Sequence, residues 1–133
     1  MSPRGIAAVA RDEPGRIAII CGDRRETFAE LDADANRWAH LFAGAGVGHG
    51  DRVAVMLGNR PEVFAAWAGA SRLGALVVPV SYRFTVAEVA YILADSQTAA
   101  FVYEDEMCIR DRPPPSRPVP RWSPGPAPRS RRR

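Results

Sequence analysis

The residues best placed for chemistry follow a short apolar run at residues 53–57. Gly58, Asn59 and Arg60 come directly after this run and precede a segment with helical periodicity. Backbone N–H groups at such a strand-to-helix junction bind anions, and an arginine there adds a charged donor for phosphate. The interpretation that we favour is simpler: Asn59 caps the helix and Arg60 is solvated.

Arg83 is a second candidate for contact with phosphate, because it follows the next apolar run, at residues 76–80. Its guanidinium group is planar and presents paired donors that match phosphate oxygens. From the residue type alone, a surface salt bridge is the favoured interpretation.

The glycine-rich stretch at residues 44–50, Gly-Ala-Gly-Val-Gly-His-Gly, invites comparison with a dinucleotide-binding loop. Such a loop must follow a strand and open a helix. This stretch follows a helical segment and precedes an apolar run. We therefore predict a connector and not a phosphate loop.

The sequence shows no spacing that predicts a catalytic group of nucleophile, base and acid. His40 lies on a helical segment and His49 lies in the glycine connector, and neither has a carboxylate or thiol at ligand spacing. Cys21 and Cys108 suggest neither a disulfide framework nor a metal site. The acidic residues are expected at helix starts or on solvated faces. We predict no catalytic residue and no metal site in this chain.

The elements that position these residues are clearest at residues 51–83. Two Val-rich runs flank a segment whose apolar residues recur at helical spacing, which predicts a right-handed strand–helix–strand unit with strands buried on both faces. Pro61 suits the first helical turn and Gly74 lies just past its end. The predicted core face of the helix consists of Val63, Phe64, Trp67, Ala70 and Leu73.

The flanking segments complete an α/β fold. A short helix is predicted at residues 2–11, a β-hairpin at 17–21 and 24–28, and a third parallel strand at 99–103. Thr27 with Glu30 and Thr85 with Glu88 have the spacing of capping boxes and predict two further helices. The predicted architecture is a truncated open parallel sheet with crossover helices and an N-terminal hairpin.

The net charge of the chain changes from negative to positive after residue 106. Residues 1–106 hold ten arginines and fourteen acidic residues, whereas residues 107–133 hold eight arginines, one aspartate and eight of the twelve prolines. The second piece is predicted to be a disordered tail, because its proline density forbids helix and sheet. Its Arg-Ser-Arg-Arg-Arg end and Trp122 would allow charge-driven nucleic-acid binding, which we do not favour.

Three features are absent from the sequence: a membrane-spanning run, a signal peptide and lysine. The sequence holds no long apolar run that would cross a membrane, and its first residues do not have the pattern of a signal peptide. The chain contains no lysine, which indicates GC-rich coding DNA. We predict a cytoplasmic location.

Residues 14–106 resemble the start of the AMP-forming acyl-CoA synthetase family, the adenylate-forming ligases. The matching phrases are GDRVA at the first strand, NRPE at the turn after it, and TxxExxYILxDS over the last helix. Taken together, these phrases are typical of the family. The resemblance implies that residues 1–106 are the N-terminal part of an AMP-binding, or adenylation, domain.

The resemblance implies ATP, coenzyme A and Mg²⁺ as cofactors of the parent enzyme and a carboxylic acid, most simply a fatty acid, as its substrate. In this family the carboxylate attacks ATP to give an acyl-adenylate and pyrophosphate, and the thiol of coenzyme A displaces AMP. Arg83 matches a family loop that lies toward the coenzyme A nucleotide, although Ser81 and Tyr82 depart from the Asn-Pro of that loop. The resemblance thus implies contact between Arg83 and a coenzyme A phosphate.

The family's reacting groups have no counterpart here. The phosphate loop ending in Pro-Lys-Gly, the adenine- and ribose-binding motifs and the domain with the catalytic lysine are all missing from the sequence. We therefore expect this chain alone to be inactive. Residues 107–112, Met-Cys-Ile-Arg-Asp-Arg, resemble the translation of a transposon end used as a sequencing adaptor, which suggests that residues 107–133 are an assembly artefact.

Two other interpretations stay open. The parent is another adenylating enzyme, such as an aryl-acid ligase or a peptide-synthetase adenylation domain, whose downstream pocket would identify it. Alternatively, the chain is a small α/β binding protein with a basic tail that binds nucleic acid.

Overall fold

A computed structural model of the chain describes residues 5–104. The predictions for the tail at residues 107–133, including the adaptor-like hexapeptide, Cys108 and the basic end, lie outside the described residues, as does the start of the first predicted helix. The elements, in chain order, are α1 (Ile6–Asp12), β1 (Ile17–Cys21), β2 (Arg24–Thr27), α2 (Phe28–Gly44), β3 (Arg52–Met56), α3 (Pro61–Arg72), β4 (Leu76–Pro79), α4 (Val86–Asp95) and β5 (Ala100–Tyr103).

The strands form two sheets. β1 and β2 pair as an antiparallel hairpin, with an irregularity in the register between Ile17 and Ile19. β3 is the central strand of a three-stranded parallel sheet in the order β4-β3-β5. The predicted strand–helix–strand unit, the third parallel strand and the α/β class are therefore confirmed.

The core lies on both faces of β3. Val53 and Val55 pack with Phe42 of α2 and with Ala66 and Ala70 of α3 on one face. On the other face, Ala54, Met56 and Val80 form a second buried cluster against residues of α4. Among the strands within residues 5–104, only β3 is enclosed in this way. The prediction that β4 is buried on both faces is wrong, since Leu76 at its start is exposed.

The orientation of α3 differs from the prediction. Phe64 is 56% exposed and Trp67 is 47% exposed, so neither is a core residue. The small residues of the helix face inward instead, because α3 packs closely against α2 and a large side chain does not fit between them. The buried residues of α3 are Pro61, Ala65, Ala66, Gly69 and Ala70.

The helix ends follow the predicted caps with one exception. The Thr27 hydroxyl accepts from the Glu30 N–H at 3.3 Å, the Thr85 hydroxyl does the same for Glu88, and both capping boxes are complete. The prediction that Asn59 caps α3 is wrong. Arg60 is the N-cap residue, since the residue before Pro61 is held in extended backbone, and its side chain makes no capping hydrogen bond.

Candidate functional site

The carboxyl ends of the three parallel strands share one edge of the sheet. The loop after β3 contains Gly58, Asn59 and Arg60, the loop after β4 contains Arg83, and Glu104 directly follows β5. In open α/β sheets, ligands bind outside this edge. The edge is therefore the place where the predicted site residues can be tested against one another.

A chain of ion pairs joins this edge to the hairpin. Arg60 pairs with Glu104 and lies 3.4 Å from a carboxylate oxygen of Glu62. Glu62 in turn accepts from Arg24 of β2 at 2.9 Å, and the same guanidinium lies 3.5 Å from Glu26. Arg60 is exposed, as expected, but the sequence did not predict its ion pairs. Its charge is balanced by two carboxylates, which leaves it poorly suited to hold a phosphate.

Glu26 is the buried member of this chain. Its side chain is 5% exposed, and Oε1 has no hydrogen-bond partner within residues 5–104. Burial raises the pKa of Glu26 above its usual range, and the charge of Arg24 opposes that shift. The expectation that acidic residues lie at helix starts or on solvated faces is wrong for Glu26. The available signal was its cross-strand neighbour Ile19, since opposed residues project to the same face of a hairpin.

The pKa of Glu62 is shifted in the opposite direction to that of Glu26. A hydrogen bond from its own backbone N–H, in the first turn of α3, holds the pKa of Glu62 below its usual range, with Arg24 and Arg60 adding to the effect. Burial alone would raise that pKa. The pair therefore consists of an ionised carboxylate, Glu62, and a carboxylate that takes up a proton more readily, Glu26. This arrangement fastens the hairpin to the sheet and presents no nucleophile.

Arg83 extends from the turn that precedes α4. Its backbone N–H donates to the Ser81 hydroxyl at 3.2 Å, and its guanidinium carbon lies 5.8 Å from the centre of the Tyr82 ring. No carboxylate within residues 5–104 lies at ion-pair distance from Arg83, so the surface salt bridge expected from the sequence is not found there. Arg83 is exposed, whereas Arg60 is held by two carboxylates.

The remaining sequence candidates are structural. The glycine-rich stretch connects α2 to β3, as predicted. His40 and His49 are both exposed, and the His49 ring lies against Gly74, whose φ of +70° favours glycine. The Cys21 thiol contacts the carbonyl of Asn59 at 3.7 Å. Over the described range, no group of three or more His, Cys, Asp or Glu residues has the geometry of a metal site.

An open apolar groove of about 830 Å³ lies among α1, the hairpin, α2 and α3. Sequence reasoning missed this groove because it assigned the aromatic residues of α3 to the core. Within residues 5–104, no helix has both the length and the apolar character needed to cross a membrane. The groove is lined by residues of α1, β1, α2 and α3, among them Ile6, Ile19, Ile20, Leu31, Phe64 and Trp67.

Comparison with known proteins gives one consistent family. The sequence profile of the AMP-binding enzyme family matches residues 6–124. A medium/long-chain-fatty-acid–CoA/3-oxocholest-4-en-26-oate–CoA ligase from Mycobacterium marinum is 38% identical over 97 residues, which are 73% of this chain and 18% of that relative. The profile match runs past residue 106, and the domain boundary placed there stays a prediction.

Solved structures give the same result. The chain is similar to a Mycobacterium tuberculosis fatty acyl-CoA synthetase, with a TM-score of 0.70 and 35% identity over 74% of this chain and 20% of that one. It is also similar to O-succinylbenzoate coenzyme A synthetase from Bacillus subtilis in complex with AMP, with a TM-score of 0.73 and 31% identity over 79% of this chain and 28% of that one. The chain spans less than a third of the length of each of these proteins.

Proposed function

Because this chain belongs to the family of AMP-binding enzymes, we propose that it is the N-terminal part of an AMP-forming carboxylate–CoA ligase. The observation that carries the proposal is the 38% identity to the Mycobacterium marinum ligase, which extends over most of the described residues. The proposed enzyme joins a carboxylate to ATP, releasing pyrophosphate, and then transfers the acyl group from AMP to the thiol of coenzyme A. We also propose that the reaction takes place in the cytoplasm.

A fatty acid is the proposed substrate, since the similar Mycobacterium proteins are named for fatty acids. The similarity to O-succinylbenzoate coenzyme A synthetase supports an aryl acid as the second candidate. Residues 5–104 do not discriminate between them, because the groove on α3 and the sheet edge carry no group specific for either acid. The full reading frame of the source gene would supply the residues of the acid pocket.

The described residues act as scaffold in this proposal. Mg²⁺ would require several oxygen ligands, and the carboxylates at the sheet edge are already paired with Arg24 and Arg60. This part of the chain therefore does not fit the metal. Arg83 is the one residue that we propose to contact a substrate, namely a phosphate of coenzyme A, because its guanidinium is exposed and unpaired within residues 5–104.

A chimera tests the proposal. Residues 5–104 replace the matching segment of the Mycobacterium tuberculosis fatty acyl-CoA synthetase, and fatty-acid-dependent exchange between ATP and pyrophosphate is measured. We expect exchange in the chimera, and none in the 133-residue chain alone or in the synthetase lacking the segment. A folded chimera as inactive as the deletion, or exchange by the 133-residue chain itself, would contradict the proposal.

A further inference from the structure

Contacts that are distant in sequence hold the turn of the hairpin to the rest of the molecule. The Arg24 guanidinium donates to the Glu62 carboxylate, in the first turn of α3, at 2.9 Å. The Cys21 thiol lies 3.7 Å from the carbonyl oxygen of Asn59, in the loop after β3. The hairpin turn therefore lies against the segment that leads from β3 into α3.

The contact between Arg24 and Glu62 belongs to a row of charges that alternate in sign. The row runs from Glu26 through Arg24, Glu62 and Arg60 to Glu104, and each neighbouring pair is an ion pair. When all of these groups are ionised, the row has one negative charge in excess, because it begins and ends with a carboxylate. A proton on one of the two end carboxylates balances the row.

Glu26 is the end of the row at which a negative charge is less well compensated. Its side chain is 5% exposed, whereas that of Glu104 is 19% exposed. Oε1 of Glu26 has no hydrogen-bond partner within residues 5–104. The Arg24 guanidinium lies 3.5 Å from Oε2 of Glu26 but 2.9 Å from Glu62, so the nearest cation is shared and is closer to the other carboxylate.

The helices packed around Glu26 present further negative charge to it. Glu30 and Asp34 of α2 and Glu62 of α3 face Glu26, and Arg24 of its own strand is the cation that acts on it. Burial, with a smaller contribution from these carboxylates, raises the pKa of Glu26 above its usual range. An ionised Glu26 is therefore stabilised by hydration, which requires the hairpin to move away from the helices that cover it.

We propose that the hairpin turn is a pH-sensitive latch on the segment between β3 and α3, closed while Glu26 carries a proton and released when Glu26 ionises. A neutral Glu26 leaves the Arg24 guanidinium to Glu62 alone, which strengthens the charged hydrogen bond that holds the turn. The base of the hairpin stays in place, because the Phe28 N–H donates to the Arg16 carbonyl at 2.9 Å. Release moves the turn, with Cys21, away from Asn59.

The direction of the pH dependence follows from the burial of Glu26. Since its pKa is higher in the closed state than in the released state, closure is favoured below the ordinary glutamate value of 4.5. That contribution is lost as the pH rises through the raised value. The latch concerns the described residues alone and does not depend on the proposed function.

Amide hydrogen exchange in the 133-residue chain tests the latch. Protection factors, corrected for the intrinsic exchange rate at each pH, are measured for the hairpin and for β3 from pH 4.5, the ordinary glutamate value, to neutral pH. Glu26→Gln replaces the carboxylate by a neutral group of the same shape. Asp23→Asn is the matched control, because it removes a carboxylate from the same hairpin at an exposed position.

We expect the hairpin amides to be less protected than those of β3 at neutral pH, because the latch releases the hairpin without unfolding the sheet. Hairpin protection should fall about threefold to tenfold from the acidic to the neutral end of the range, since one unit of pKa shift corresponds to a factor of about ten. The fall should persist in Asp23→Asn and be absent from Glu26→Gln.

Two kinds of result would overturn the proposal. Hairpin amides that are as protected as those of β3 at neutral pH would show that the hairpin opens only when the whole chain unfolds. Hairpin protection that is independent of pH, or that falls equally in Glu26→Gln, would show that Glu26 does not control the hairpin. If Glu26→Gln loses the protection of β3 as well, Glu26→Met, which is neutral and of similar size, takes its place in the same comparison.

Discussion

Gly69 of α3 lies directly against Trp38 of α2. A Cβ atom at Gly69 would lie 2.6 Å from the Cβ of Trp38 and 2.9 Å from the carbonyl oxygen of Ala35. The two helices therefore meet backbone to backbone at this point. Trp38 also lies beside Phe42, four residues further along α2, with 5.4 Å between ring centres, at the edge of the main buried cluster.

The first prediction concerns this contact. Gly69→Ala should lower the free energy of unfolding by about 2 kcal/mol, because the added methyl group forces α2 and α3 apart. In an unhindered helix the same change would stabilise by roughly 0.5–1 kcal/mol. Urea unfolding followed by circular dichroism measures the difference. Gly44→Ala is the control, since nothing lies within 4 Å of a Cβ at Gly44, and it should be neutral or stabilising. Equal effects of the two substitutions would show that the helices do not meet as described.

The second prediction concerns the buried carboxylate of Glu26. Its pKa in the folded chain is raised above the ordinary value of 4.5, chiefly by burial. The folded state therefore binds a proton more readily than the unfolded state, and stability falls as the pH rises from the ordinary value through the raised one. At neutral pH the ionised Glu26 destabilises the fold. The groups that face it are Arg24, Asp34, Glu30 and Glu62.

Glu26→Gln should consequently stabilise the chain above this pH window by on the order of 1 kcal/mol, because a neutral amide is less costly to bury. The gain should disappear in acid, where Glu26 is protonated. Urea midpoints at several pH values measure it. Glu13→Gln is the control, since Glu13 is exposed and its carboxylate lies 3.4 Å from the Arg16 guanidinium. A loss of stability at neutral pH in Glu26→Gln would mean that the Arg24 contact outweighs burial.

The third prediction concerns the start of α2. Thr27→Ala removes the hydroxyl that accepts from the Glu30 N–H and should lower the free energy of unfolding by about 1 kcal/mol. The Thr27 N–H, at 2.8 Å, and hydroxyl, at 2.9 Å, also hold the pKa of Glu30 below its usual range. That contribution is present above the ordinary glutamate pKa and is lost as the pH falls through the lowered value.

Ser71→Ala is the matched control for Thr27→Ala, because the Ser71 hydroxyl bonds to a carbonyl within α3 and caps nothing. Its effect should stay within about 0.5 kcal/mol. Both variants are measured by urea unfolding at neutral and acidic pH. A Thr27→Ala variant whose deficit is unchanged in acid would indicate that the Glu30 carboxylate takes no part in the cap.

The sequence predicted the element order but not the orientation of α3. Phe64 and Trp67 recur at helical spacing, and so do the small residues Ala65, Ala66 and Gly69 on the neighbouring face. Periodicity identifies an apolar face, and two such faces on one helix leave its rotation undetermined. The distance between α2 and α3 determines the rotation of α3. The helices lie so close together that only glycine and alanine fit between them, and the larger side chains turn outward.

The sheet edge was partly predictable. Pro61 at the first helical position implies that the preceding residue, Arg60, is the N-cap, so the wrong assignment of Asn59 could have been avoided. The ion pairs that Arg60 and Arg24 make were not predictable, because Glu104 and Glu62 reach them from distant positions in the chain. Long-range charge contacts leave no periodic signal in a single sequence.

The fourth prediction concerns Arg83 and follows from the proposed function. In the chimera, Arg83→Ala should raise KM for coenzyme A about threefold to tenfold, as expected for an exposed arginine that contacts a phosphate. Exchange between ATP and pyrophosphate should be unchanged, because that half-reaction precedes coenzyme A. Arg37→Ala, which removes another exposed arginine, should affect neither. An effect on the coenzyme A half-reaction alone separates a lost contact from general destabilisation, since destabilisation would lower the rates of both half-reactions. If an active chimera with Arg83→Ala had an unchanged KM for coenzyme A, Arg83 would be an exposed residue that does not contact coenzyme A.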